Sequence, residues 1–162
     1  MRELLPLAEK VAALLRSRRE TIAIAESSAG GLITAALLAV PGASAYMIGG
    51  GVFYTRQSLL GLKDTREEMF AGLRGATEEW ALLMARTVRS RYSAGWGLGE
   101  SGAAGPTGNR YGDAPGHVCI AVAGPVERSM TLKTGSSDRV DNMYAFSAAA
   151  LKLLAESVAL KG

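Results

Sequence analysis

Two segments of this sequence repeat one plan. Ala25-Glu26-Ser27-Ser28-Ala29-Gly30-Gly31 and Gly99-Glu100-Ser101-Gly102-Ala103-Ala104-Gly105-Pro106 each place Glu-Ser just ahead of glycines, and each follows a stretch that reads as a β-strand. A strand running straight into a glycine turn is how parallel α/β sheets bring backbone N–H groups to one edge. If the two strands lie side by side, both turns meet at that edge. Hydroxyls, carboxylates and N–H groups then converge on a pocket for a small polar or anionic ligand.

The rest of the chain supplies the layers such a sheet needs. Leu4, Leu5, Ala8, Val11, Ala12 and Leu15 recur at helical spacing and predict a first amphipathic helix. Residues 21–25 are short, β-branched and apolar, as in a buried strand. Ser27 and Ser28 then offer N-cap hydroxyls to a helix reaching about Val40 and ended by Pro41-Gly42. Residues 45–54 read as a long strand interrupted by Gly49-Gly50-Gly51, followed by short helical pieces over 57–62 and 66–73. Thr77 caps a helix whose Trp80, Leu83, Met84 and Val88 face inward, and residues 93–98 form the next strand. Residues 99–116 make a glycine-rich loop too long for an idle connection. Residues 117–123 and 129–134 predict a hairpin, and residues 136–138 cap a last helix with Met143, Tyr144, Leu151, Leu154 and Val158 turned inward. This order predicts an α/β fold, a three-layer α/β/α sandwich with a mixed β-sheet, as a single domain over residues 1–162.

Composition narrows the function classes. With 18 Lys and Arg against 15 Asp and Glu, the net charge is +3. The basic residues are interspersed with acids and form no aromatic-interleaved stripe, so no nucleic-acid partner is expected. The single Cys119 lies in the apolar run 118–123 and reads as a small core residue. Residues 1–10 carry Arg2, Glu3, Glu9 and Lys10 rather than a secretory hydrophobic region, and no apolar run looks long enough to cross a bilayer. The expectation is a cytoplasmic chain with no membrane partner. One His and one Cys without ligand spacing predict no metal and no cofactor.

Ser27 stands where a strand gives way to a helix. It is either a helix cap or a nucleophile whose oxyanion the N–H groups near Ala29 and Gly30 would stabilise. The lone His117 reads as a strand-edge surface residue more readily than as the base of a triad. Glu26 and Glu100 are each either a general base, an orienter of a hydroxyl, a cation ligand or a solvated carboxylate. Tyr54 either donates to a ligand or packs with its hydroxyl at the surface. Arg110, Tyr111 and Asp113 occupy the long loop, where a basic and an aromatic residue could cover an anionic, ring-bearing ligand.

Four motifs in order resemble the C-terminal domain of the CinA (competence/damage-inducible) family: Ala25-Glu26-Ser27-Ser28-Ala29-Gly30-Gly31, Val40-Pro41-Gly42-Ala43-Ser44-Ala45, Gly50-Gly51-Val52 with Tyr54, and Gly102-Ala103-Ala104-Gly105-Pro106. The resemblance implies the fold given above. It also implies an amidohydrolase that converts nicotinamide mononucleotide (NMN) and water to nicotinate mononucleotide and ammonia, a step of pyridine nucleotide salvage. By the same resemblance the nucleophile is Ser27, assisted by Tyr54 or Glu26. Ser28, Ala29, Gly30, Gly31, Gly50, Gly51, Glu100, Ser101, Gly102, Ala104, Gly105 and Pro106 would line the substrate site.

The chain departs from the family pattern at three places. A lysine five residues after the motif tyrosine, thought to act as the base, is Leu59 here, and the next lysine is Lys63. Glu100 stands where the family usually has an apolar residue. Met143 and Tyr144 follow Arg139 where the family has basic residues. A binding module that kept the pocket without hydrolysis is therefore a second expectation. A mean hydropathy of +0.14 also suggests surface buried between subunits of a homo-oligomer.

Overall fold

In the computed structural model, which describes residues 1–62 and 65–160, Ile22–Glu26 forms strand β1 and is buried at every position. A strand buried on both faces belongs inside a sheet. β1 lies between β2 (Met47–Val52) and β3 (Trp96–Ala103), parallel to both. β4 (His117–Ala123) continues the sheet antiparallel to β3, and β5 (Glu127–Lys133) closes it antiparallel to β4. The spatial order is β2-β1-β3-β4-β5, a mixed five-stranded sheet.

The faces follow from the two-residue period of the strands. Ile22 and Ile24 of β1, Trp96 and Leu98 of β3, and Val118, Ile120 and Val122 of β4 share one core with α1 (Leu5–Arg18), α2 (Leu32–Leu38) and α5 (Arg139–Leu160). Ala23 and Ala25 turn the other way, toward Leu59 on α3 (Arg56–Leu60), Phe70 on a 3₁₀ turn at Glu67–Phe70, and Trp80, Met84 and Val88 on α4 (Glu78–Arg91). Helices thus cover both faces, and the α/β/α expectation is met. Residues this small on the second face let α4 sit directly against the sheet. A Cβ added at Gly97 would fall 2.0 Å from the Ala85 carbonyl oxygen, and one at Gly99 would fall 2.0 Å from that of Ala81.

Three sequence expectations need correcting. Glu100 and Ser101 do not begin a loop: β3 runs through them, because Glu100 pairs with Ile120 and Ser101 with Cys119 across the antiparallel ladder. The functional loop starts after Ala103. Neither Ser27 nor Ser28 caps α2, which begins only at Leu32 after Gly30 and Gly31, both at positive φ. Finally, α5 is by length and composition long and apolar enough to cross a membrane, although half of that stretch is buried inside the fold. It packs against α1, α2 and the sheet.

The close approach of α4 yields a stability test. Gly99→Ala must push the Ala81 carbonyl away from β3, and overpacking of this kind costs about 3 kcal/mol. Urea unfolding followed by circular dichroism should show the midpoint falling accordingly, with a smaller effect for Ala substitution at Gly49, where the added Cβ meets nothing within 4 Å.

Candidate functional site

The pairing of Ala25 with Gly99 brings Glu26 and Glu100 to the same end of two neighbouring parallel strands. Both carboxylates are fully buried. Each is satisfied by backbone. Glu26 accepts from the N–H groups of Gly31 (2.9 Å), Ile33 (3.1 Å) and Thr34 (2.7 Å), taking over the capping of α2 that the serines were expected to provide. Its carboxylate is committed to the helix, and the general-base alternative for Glu26 is set aside on that ground.

Glu100 reaches across to the turn that follows β1. Its Oε2 accepts from the N–H groups of Ser27 and Ala29, both at 2.9 Å, while its Oε1 accepts from the hydroxyl of Ser28. Burial pushes this carboxyl well above the ordinary glutamate range. The three donors pull it back down, and the neighbouring charge of Glu26 adds to the rise. The Ala29 N–H is therefore spent on Glu100, and that of Gly30 is spent on the Ser27 carbonyl at 3.2 Å. The oxyanion donors expected at these two residues are engaged inside the turn.

Above the turn lies a cleft with two lobes. The larger, about 440 Å³, is lined by Ser27, by Phe53, Tyr54, Trp80 and Tyr111, by Arg56, Gln57, Asn109 and Arg110, and by Gly75, Ala76, Ser101 and Gly102. The smaller, about 200 Å³, is bounded by Ser28, Tyr54, Arg139 and the loop through Ala103, Ala104 and Gly105 to Asn109. Tyr54, Gly102 and Asn109 border both lobes. Arg139, at the start of α5, donates to the Gly105 carbonyl (2.6 Å) and to the Tyr54 hydroxyl (3.2 Å), fixing the ring of Tyr54 at the divide. The proton of that phenol stays free to donate elsewhere.

The walls are held by contacts that local sequence does not advertise. Ala76 adopts a left-handed backbone at φ 57°. Its N–H donates to the Ser101 hydroxyl at 3.2 Å, and its carbonyl accepts from His117 Nε2 at 2.9 Å and from the Cys119 thiol at 3.3 Å. His117 is thus buried, contrary to the expected surface position, and its Nε2 carries the proton because a carbonyl can only accept. The Arg74–Asp113 pair (2.6 Å) ties this segment to the 109–113 loop and holds the Asp113 carboxyl below its usual range. Arg110 donates to the Tyr111 hydroxyl, which lowers that phenol in turn. Arg56 lies over the rings of Phe70 and Trp80 and binds Glu67 and the carbonyls of Phe70 and Leu73.

Of the residues nominated from sequence, Ser27, Tyr54, Ser101 and Gly102 border the larger lobe, and Ser28, Ala104 and Gly105 the smaller. Glu26, Ala29 and Glu100 lie behind the turn and shape it. Gly50 and Gly51 are not part of either lining. A Cβ on Gly50 would strike Thr34 on α2, and one on Gly51 would meet the ring of Phe53. Gly30 sits under Met143, and Gly31 faces Val52. Leu59, at the position of the family's lysine, is buried in the apolar cluster with Phe70 and Trp80, and Lys63 lies outside the described residues. Phe53, Arg56, Trp80 and Ala76 were not nominated. Only the helical spacing around Trp80 was visible beforehand, and it marked that residue as core.

The family profile of the CinA C-terminal domain matches residues 4–158. The chain belongs to this family. A CinA-like protein of Desulforapulum autotrophicum is 36% identical over 163 residues, covering 99% of this chain and 38% of that protein. One from Cyanothece is 42% identical over 123 residues, covering 74% of this chain and 28% of that protein. The chain therefore spans between 28% and 38% of these curated relatives. Among solved structures, the competence/damage inducible protein CihA of Agrobacterium tumefaciens superposes with a TM-score of 0.87 at 25% identity, covering 96% of this chain and 95% of that one. The competence damage-inducible protein A of Klebsiella pneumoniae gives 0.89 at 25% identity, covering 97% and 98%. This CinA C-terminal domain therefore shares its whole architecture with those chains, five-stranded mixed sheet included.

The raised proton affinity of Glu100 has a measurable consequence. A carboxyl that binds its proton more tightly when folded contributes stability that is complete below the ordinary glutamate pKa of about 4.3 and is lost as pH rises through the raised value. Glu100→Gln keeps an acceptor for the Ser27 and Ala29 N–H groups and does not titrate. Relative to that variant, the wild-type domain should lose thermal stability as pH rises above about 4.3, with a constant difference below it. Melting both proteins by differential scanning calorimetry across this range checks the sign.

Proposed function

We propose that the domain hydrolyses the carboxamide of an anionic, ring-bearing nucleotide of the NMN class, releasing ammonia, with a serine of the Ser27-Ser28 turn as nucleophile. The observation that carries this reading is that both serines of one strand-end turn line the cleft, Ser27 in the larger lobe and Ser28 in the smaller. The aromatic walls of Phe53, Tyr54, Trp80 and Tyr111 suit a planar heterocycle. Arg110 and Arg139, one at each lobe, suit a phosphate. Membership of the CinA C-terminal domain family supports the same reading and nominates Ser27. Tyr54, oriented by Arg139, is placed to assist with its free phenolic proton.

The test is direct. Purified domain incubated with NMN should release ammonia in an enzyme-coupled assay, and the double variant Ser27→Ala/Ser28→Ala should lose activity by at least about 10³-fold, the scale expected for a missing nucleophile. No ammonia from wild-type protein at high enzyme concentration rejects the hydrolytic reading.

One observation favours a second reading, in which the cleft binds its nucleotide without turnover. Leu59 is sealed in the core where the family's lysine would stand, and among the described residues no basic side chain is hydrogen-bonded to the Ser27 hydroxyl. In that case NMN or nicotinate mononucleotide should raise the melting temperature by the same amount in the wild type and in the double serine variant, because ligand that binds only the folded state stabilises it by mass action. A melting temperature indifferent to both nucleotides at millimolar concentration removes this reading.

A further inference from the structure

The geometry points to a relocated catalytic pair in this chain: Ser28 as the nucleophile and Glu100 as the base that takes its proton. This assignment rests on the hydrolytic reading above and narrows it to particular atoms. Of the two hydroxyls in the turn, Ser28 is the one bonded to a carboxylate, through Glu100 Oε1. The other oxygen of Glu100 is fixed by the Ser27 and Ala29 N–H groups, so Oε1 is held facing the hydroxyl with no freedom to turn away. A nucleophile bonded to a base that is itself oriented by further hydrogen bonds is the arrangement hydroxyl activation requires. Ser28 also lines the smaller lobe beside Tyr54 and Arg139.

The placement of Glu100 supports the same conclusion. Its neighbours on that face of β3 are Trp96 and Leu98, its partner on β4 is Ile120, and all belong to or border the apolar core. The charged group acting on it is Glu26 of β1; the turn contributes Ser28 and Ala29, and α5 contributes Met143 above Gly30. A carboxylate in such surroundings is destabilising unless it is paired or its proton is retained. Burial raises its proton affinity above that of an ordinary glutamate, the direction that favours a general base.

The reaction balances with the groups present and water. Ser28 Oγ attacks the carboxamide carbon as its proton passes to Glu100 Oε1, and the carbonyl oxygen becomes an oxyanion facing the Tyr54 phenol and the Arg139 guanidinium. Collapse breaks the C–N bond as the Tyr54 phenol, which borders both lobes, gives its proton to the leaving nitrogen, releasing ammonia and leaving an acyl ester on Ser28 while Glu100 keeps the serine proton. Water then attacks that ester as its proton restores the Tyr54 phenol. The second collapse frees the carboxylic acid, and Glu100 hands the proton back to Ser28. With the carboxamide at the smaller lobe, the phosphate falls to Arg110 on the larger.

The experiment uses the intact chain, NMN as substrate, and the single variants Glu100→Gln, Ser28→Ala and Ser27→Ala. Glu100→Gln and Ser28→Ala should each lower kcat by about 10²- to 10⁴-fold with KM changed less than about threefold. The wild-type rise of kcat/KM with pH should centre above the ordinary carboxylate range and vanish from the residual activity of Glu100→Gln. Fragmentation mass spectrometry of acid-quenched wild type should locate the acyl group on Ser28. Ser28→Ala removes one oxygen and serves as the check should Glu100→Gln fold poorly. Turnover in Ser28→Ala within about tenfold of wild type, an adduct on Ser27, or an unimpaired Glu100→Gln overturns this assignment while the hydrolytic reading stands. A wild type that releases no ammonia overturns both.

Discussion

A buried carboxylate holds the centre of this molecule in place. Glu100 rises from the middle of an antiparallel ladder and binds two amides and a hydroxyl of the turn ending the neighbouring parallel strand. Glu26, one strand over, does the same for the first turn of α2. Between them the two side chains accept from five N–H groups of the 27–34 segment, those of Ser27, Ala29, Gly31, Ile33 and Thr34. This is how a turn next to an apolar core avoids the penalty of orphaned N–H groups. The cleft above inherits its shape from this, since the serines can face the lobes only because their main chain is gripped from behind.

The architecture was readable in the chain because hydrophobic periodicity and turn chemistry agreed element by element. The helices around Val11, Met84 and Leu154, the buried strand at 22–26 and the terminal hairpin all fall where apolar spacing put them. What local sequence could not resolve was the far half of β3. Gly97, Gly99 and Gly102 lower strand propensity and look like loop, yet their missing side chains are what allow α4 and β4 to approach so closely. The decisive information there is tertiary.

The site was legible in its anchor points and illegible in its walls. Ser27, Ser28 and Tyr54 carry recognisable motifs. Ala76 does not, because nothing about an alanine signals a left-handed backbone gripped by a buried imidazole and a thiol. His117 was misjudged for the same reason: a histidine opening a strand is ordinarily solvated, and only the fold shows that the 74–77 segment crosses over it. For Glu26 and Glu100 the sequence left catalytic and merely paired or solvated roles open, because which amides reach them is set by strand register rather than by neighbours in sequence.

Leu59 carries a further consequence for which side chains its position can accept. Its side chain closes the floor between α3 and α4 against Phe70 and Trp80. A lysine in its place would drive an ammonium into hydrocarbon, so an amine cannot stand at this position unless the α3 segment re-registers. With the aliphatic plug in place, position 59 serves the packing between α3 and α4 rather than the pocket.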